Sequence, residues 1–201
     1  MTRIKLCGLT RPEDIEAANA LMPEYTGFVF AKKSRRYVDP DGAAALRAML
    51  APGIRAVGVF VREPPEKVAE LLDQGIIDIA QLHGGEDEEY IKALRGLTDK
   101  PLIKAFRVDG YADLEKARQS SADYVLLDNG AGGTGTAFDW ALLKGFDRPY
   151  FLAGGLGPGN VRQAIMALVP FAVDVSSGIE TNGAKDYMKM TAFMNAARHE
   201  E

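Results

Sequence analysis

A single cysteine, Cys7, stands among 201 residues. That excludes an intramolecular disulfide and any cysteine-cluster metal site. Histidine is almost as scarce. His83 and His199 are the only two, and His199 lies at the C-terminal edge, where chains fray. A catalytic metal usually needs several convergent ligands, so the sequence argues against metal-dependent sugar-phosphate epimerisation, and no metal is expected. No apolar run is long enough to span a bilayer, and none at the N-terminus resembles a signal peptide, which makes cytoplasmic residence the expectation. Positive charge is not in excess either: 24 Lys and Arg against 28 Asp and Glu leave a net charge of −4. Nothing general therefore draws the chain to nucleic acid or an anionic membrane. Low-complexity linkers are missing, so residues 1–201 read as one domain.

What is present is a regular alternation. Apolar, β-branched runs begin near Arg3, Tyr25, Arg55, Ile76, Pro101, Tyr124, Tyr150 and Phe171. Helical patterns fit between them, over Pro12–Leu21, Asp41–Leu50, Pro65–Gln74, Asp87–Leu97, Tyr111–Ser120, Asp139–Lys144, Gly159–Leu168 and Lys185–Arg198. Thr10 ahead of Arg11-Pro12, with Glu13 three residues on, reads as the start of the first helix. Runs such as Val57-Gly58-Val59-Phe60-Val61 and Tyr124-Val125-Leu126-Leu127 are too uniformly apolar for a half-solvated strand and suit parallel strands covered on both faces. Eight βα units predict an α/β protein, a single compact (β/α)₈ TIM barrel with a closed, parallel, eight-stranded sheet. The alternative is a doubly wound open sheet, because alternation does not itself demonstrate closure.

In a parallel barrel, ligands bind where the strands end. Strand seven runs into Gly154-Gly155-Leu156-Gly157, with Pro158 suited to the first helical position. Strand eight runs into Ser176-Ser177-Gly178. Two such turns let backbone N–H groups approach one phosphate from both sides, which makes Gly154, Gly155, Ser177 and Gly178 candidate phosphate ligands. Gly-Gly pairs are also ordinary turn material. At the end of strand one, Cys7 is either a small buried hydrophobe or a base or nucleophile whose pKa is lowered by nearby positive potential. Lys32-Lys33-Ser34-Arg35-Arg36-Tyr37 is a solvated basic loop or a grip on an anionic group, for which an arginine fork is well shaped. Gln81 and His83 share one face of strand four, although His83 could equally be a packed imidazole. Asp128 ends strand six, as a loop-fixing group or as an acid in a low-dielectric pocket. The glycine-rich residues 129–136 after it could form a lid or a plain connector. Asp174, inside strand eight, could be satisfied by a ribose hydroxyl or by a neighbouring backbone N–H.

Several of these stretches together resemble the phosphoribosylanthranilate isomerases of tryptophan biosynthesis, from about Ile4 to Met194. The carriers are Lys5-Leu6-Cys7-Gly8-Leu9-Thr10, Gly27-Phe28-Val29-Phe30 with Ser34-Arg35-Arg36-Tyr37, Gln81-Leu82-His83-Gly84, Leu126-Leu127-Asp128, Gly154-Gly155-Leu156 and Val173-Asp174-Val175-Ser176-Ser177-Gly178-Ile179-Glu180. The resemblance implies a cofactor-free Amadori rearrangement of a small phosphosugar. It implies Cys7 as general base, Asp128 as general acid, and Arg36 as anchor for the anthranilate carboxylate. Gln81, His83 and Asp174 are the further substrate-binding candidates. The chain departs from the family pattern at Leu6, Ala31, Lys32 and the short segment Thr181-Asn182-Gly183-Ala184. A different phosphosugar barrel, such as an indole-glycerol-phosphate synthase using Lys5 or Lys104, or a thiamine-phosphate synthase, is the second enzyme reading. A non-catalytic phosphosugar sensor is the third. A monomer and a homodimer fit the sequence equally well.

Overall fold

The computed structural model describes residues 1–128 and 140–198. Eight parallel strands follow one another around a closed barrel: β1 (Arg3–Cys7), β2 (Tyr25–Val29), β3 (Arg55–Phe60), β4 (Ile79–Leu82), β5 (Leu102–Arg107), β6 (Tyr124–Asp128), β7 (Tyr150–Ala153) and β8 (Ala172–Val175). β8 pairs back onto β1, with Lys5 opposite Asp174 and Leu6 opposite Val175. Closure excludes the open-sheet alternative. Helices α1 (Pro12–Leu21), α2 (Pro40–Met49), α3 (Pro65–Asp73), α4 (Glu88–Arg95), α5 (Tyr111–Gln119), α6 (Val161–Leu168) and α7 (Tyr187–Arg198) join successive strands or follow the last. Between β6 and β7 the expected helix is a single 3₁₀ turn, Trp140–Leu143. The expected lid residues 129–136 and His199 lie outside the described residues.

Period-two alternation explains why the strands are apolar throughout. One set of side chains, Tyr25, Val57, Ile79, Ile103, Leu126, Phe151 and Ala172, packs together inside the barrel. Their sequence neighbours, including Ile4, Leu6, Leu102, Val125, Leu127, Leu152 and Val173, pack outward with the helices. At the N-terminal end the interior is stoppered by aromatic rings. Tyr25 and Tyr124 meet Phe151 edge-on at 5.3 and 5.9 Å, and Tyr124 stacks on Phe171 at 4.9 Å. Arg3 and Arg55 lie over Phe171 and Tyr25, capping this plug on its wet side. The opposite end is left for polar inward positions.

Three local expectations shift, each for a physical reason. The fourth strand begins at Ile79 rather than near Ile76, because the amides of Ile76 and Ile77 bond back to Leu71 O (3.1 and 3.4 Å) to finish α3. Pro158 lies in a turn, not at a helix start; Asn160 precedes α6 and its side chain accepts from Gly157 N (2.9 Å) and donates to Gly155 O (3.0 Å). The start of α1 is held by Asp14 rather than by Thr10 and Glu13. Its buried carboxylate accepts from Thr10 N (2.9 Å), Arg11 N (3.1 Å) and the Arg11 guanidinium (2.6 and 3.1 Å). Because that carboxylate satisfies two loop amides at once, Asp14→Ala should cost about 2 kcal/mol of folding free energy. Urea unfolding at pH 7 measures this directly, and a loss below about 0.5 kcal/mol, the range of an ordinary surface substitution, would contradict it.

Candidate active site

Because side chains alternate, the inward row continues past the apolar plug to the C-terminal rim of the barrel. There it presents Cys7 from β1, Gln81 from β4, Asp128 from β6 and Asp174 from β8. With His83, one residue beyond β4, and the turns after β7 and β8, they line a cavity of about 320 Å³. Arg36, Gly154, Gly155 and Ser177 line it too. Gly178 does not. It lies against the neighbouring turn, where a Cβ would fall 2.0 Å from Leu156 O. Only a residue without a side chain lets the two turns meet so closely. Gly154 and Gly155 adopt φ of 90° and 64°, the left-handed region that suits glycine.

Cys7 is buried, as one of its two sequence readings has it, and its surroundings differ from the other, a thiol made acidic by nearby positive charge. Burial pushes its pKa up, and Asp174 adds to the rise, while Lys5 and Lys185 pull against it. Lys5, pointing to the same face of β1, is fully buried and donates to Asp174 Oδ1 at 3.0 Å. Burial works against the Lys5 ammonium, yet Asp174 and Cys7 outweigh it and hold its pKa above the ordinary value. Asp174 is therefore satisfied by a lysine, not by a neighbouring amide as one sequence reading allowed. Neither Lys5 nor Lys104 lines the cavity. Lys104 is spent on Gly84 O (2.7 Å) and Glu86 Oε2 (3.1 Å), which leaves the catalytic-lysine alternative without a positioned amine.

Across the cavity, Gln81 Nε2 donates to His83 Nδ1 (2.8 Å). An amide N–H can only donate, so the imidazole proton resides on Nε2, 3.8 Å from Asp128 Oδ2. Burial lowers the His83 pKa more than Asp128 and Asp174 raise it, so the ring is neutral at pH 7. Asp128 itself is about a quarter exposed (27%).

Arg36 is held by a partner that sequence reasoning missed. The Glu180 carboxylate grips its fork, with Nε to Oε1 at 2.6 Å and Nη2 to Oε2 at 2.9 Å, and also accepts from Arg35 (2.8 Å) and Lys185 (2.7 Å). Glu180 and Lys185 belong to a small hairpin, β9 (Glu180–Thr181) and β10 (Ala184–Lys185). Its turn is Asn182-Gly183, both at positive φ. Asn-Gly is a strong hairpin signal, so the missing clue was in the sequence. Lys185 also donates to Ser176 O at 3.0 Å, which ties the carboxylate grip to the turn after β8.

This arrangement has known relatives. The family model described as N-(5'phosphoribosyl)anthranilate (PRA) isomerase matches residues 4–196. The chain belongs to this family. A curated N-(5'-phosphoribosyl)anthranilate isomerase from Thermoanaerobacter sp. (strain X514) is 44% identical, with 98% of each chain covered. A crystal structure of phosphoribosyl anthranilate isomerase from Thermotoga maritima superposes with a TM-score of 0.89 at 37% identity, covering 99% of this chain and 100% of that one. Another phosphoribosyl anthranilate isomerase, solved in complex with reduced 1-(o-carboxyphenylamino)-1-deoxyribulose 5-phosphate, superposes with a TM-score of 0.87 at 37% identity over 99% of this chain and 100% of that one. Among the described residues no group of three or more His, Cys, Asp or Glu could hold a metal, and no helix is long and apolar enough to cross a membrane.

The Glu180 hub carries a pH signature of its own. Burial alone would raise its pKa, but Arg36 and Lys185 bring it down from the ordinary 4.5 to about 2. A carboxyl depressed in the folded state contributes stability above its unfolded pKa and loses it as pH falls toward the folded value. Stability should therefore drop as pH falls from about 4.5 toward 2, and Glu180→Gln should flatten that part of the curve while lowering stability at pH 7. Urea midpoints measured across this range test it; an acid limb as steep in Glu180→Gln as in the parent would refute the assignment.

Proposed function

We propose that the family's reaction runs in this cavity with Cys7 as general base, Asp128 as general acid and Arg36 as the anchor for a carboxylate. The protein is a phosphoribosylanthranilate isomerase of tryptophan biosynthesis. It converts N-(5-phosphoribosyl)anthranilate to 1-(2-carboxyphenylamino)-1-deoxyribulose 5-phosphate. The observation that carries the role assignment is that one thiol and one carboxyl, 121 positions apart in the chain, line a single cavity bounded by paired glycine turns and by an arginine.

The chemistry follows from those groups. A protonated Asp128 donates to the ring oxygen as the C1–O bond breaks, leaving an iminium at C1. The iminium acidifies the C2 hydrogen, which the Cys7 thiolate removes. The resulting enolamine gains a proton at C1 and loses its C2 hydroxyl proton, giving the ketone. Two protons are gained and two are lost, so the isomerisation balances without a redox cofactor. The turns at Gly154-Gly155 and Ser177-Gly178 hold the phosphate, and Arg36 takes the anthranilate carboxylate while Glu180 keeps its fork in place. Gln81, whose buried Oε1 has no hydrogen-bond partner among the described residues, and His83 beside it are the further sugar-binding candidates. Holding both ends of the sugar can supply up to about 7–11 kcal/mol of the barrier in favourable cases. The protein is read as a cytoplasmic monomer or homodimer.

Two measurements test the assignment. In a fluorescence assay of the anthranilate–phosphoribose adduct, without added metal or nucleotide, Cys7→Ala and Asp128→Asn should each lower kcat at least about a hundredfold. Inorganic phosphate should bind both variants almost as it binds the parent. Normal turnover in either variant removes that residue's role, and no turnover in the parent protein favours the sensor reading. Gly178→Ala, whose Cβ would collide with Leu156 O, should weaken calorimetric phosphate binding at least about tenfold by parting the turns; unchanged affinity would place the phosphate elsewhere.

A further inference from the structure

We infer that Lys5 is a positioning residue for the reaction: its buried ammonium is the counter-charge that allows Cys7 to exist as a thiolate, and Asp174 tempers that charge. The inference rests on the reading of Cys7 as the base. Lys5 lies two residues before Cys7 on β1 and so shares its inward face. In the sheet it stands opposite Asp174. Its Nζ is 3.0 Å from Asp174 Oδ1, and Asp174 lines the same cavity as Cys7.

Stability alone does not account for this lysine. Its side chain has no exposed surface. Replacing a buried ion pair by apolar groups of similar size is often neutral or stabilising, and the layer directly below is apolar. A charge held under the thiol does account for it.

Among the described residues, the charged groups around the thiol come from four places. β1 contributes Lys5, β8 contributes Asp174, β10 contributes Lys185, and the loop after β2 contributes Arg36. β2 and β3 offer Gly27, Val29 and Val59, none of which carries a charge. Lys5 is the foremost of the groups that oppose the effect of burial on the thiol, and Asp174 acts in the contrary sense. The thiolate is therefore governed by two oppositely charged side chains that are bonded to each other. Removing one should move the Cys7 titration up, and removing the other should move it down. A salt bridge that merely supports the fold would do neither.

Cys7 is the only cysteine, so the rate of iodoacetamide alkylation of the intact protein, followed against pH, reports its titration alone. Lys5→Met should raise the alkylation midpoint by about 1–3 pH units, the usual effect of one close charge, and shift the rising limb of the kcat–pH profile to alkaline pH by the same amount. Asp174→Asn should lower the midpoint. An unmoved midpoint in Lys5→Met, or shifts of the same sign in the two variants, overturns the inference. Should Lys5→Met fail to fold, Asp174→Asn decides: a falling midpoint supports the inference, and a fixed or rising one overturns it. Turnover by Cys7→Ala would instead remove the base assignment, and the alkylation midpoints would remain readable, so the two failures are distinguishable.

Discussion

The seam between β8 and β1 is the constraint on which the site depends. Four residues of β1 pair with four of β8, more than 160 positions later in the chain. That register sets Lys5 against Asp174 and brings Ser176 near enough for its hydroxyl to donate to Cys7 O at 3.1 Å. Arg3 N also donates to Phe171 O at 3.1 Å, and the Thr2 hydroxyl to Pro170 O at 3.1 Å, so the join is held from its N-terminal end upward. A slip of one residue would turn Lys5 and Cys7 out toward the helices and Leu6 into the cavity, because side chains alternate with period two. The apolar plug at the base guards against that slip, since the outward row is itself closely packed.

Above the plug, the rim is organised by opposed charges. Lys5 is matched by Asp174, Lys104 by Glu86, and Arg36 and Lys185 by Glu180. Each pair is buried on at least one side, where an unmatched charge would cost several kcal/mol. Their shared consequence is orientation rather than stability. Lys104 and the Arg62 and Gly84 amides converge on Glu86, which shapes the loop carrying His83. Glu180 presents Arg36, and Lys185 links that grip to the turn after β8. A substrate with an anionic group at each end meets positions that were set before it arrived, and such preorganisation lowers the reorganisation required at the transition state.

How much of this was legible beforehand depended on the range of the interaction. β1, β2, β3, β6 and β7 begin where the apolar runs predicted, and α1 has the predicted bounds. Ile76 misled because an apolar residue serves equally well in a helix exit and in a strand. Thr10 and Glu13 carried the usual cap pattern, but the helix is capped one residue later, at Arg11, and Asp14 three residues on accepts from the Thr10 and Arg11 amides. Cys7, Gln81, His83, Asp128 and Asp174 were picked out by residue type at strand ends, and the cavity does gather them. Glu180 itself carries no local mark of its three cationic partners, Arg35, Arg36 and Lys185; the only local clue is the Asn182-Gly183 turn that signals its hairpin.

The amino-acid sequence alone determined the βα period, the inward and outward rows and the positions of the turns, because all of these arise between residues close along the chain. Family resemblance added the reaction. Only the tertiary structure decided what surrounds each group: that Asp174 is bound by Lys5, that burial raises the Cys7 thiol, that Asp128 is partly wet, and that Glu180 holds Arg36. Those outcomes depend on Coulombic and solvation terms between residues up to 169 positions apart. Such terms have no value until barrel closure sets the distances and removes the water.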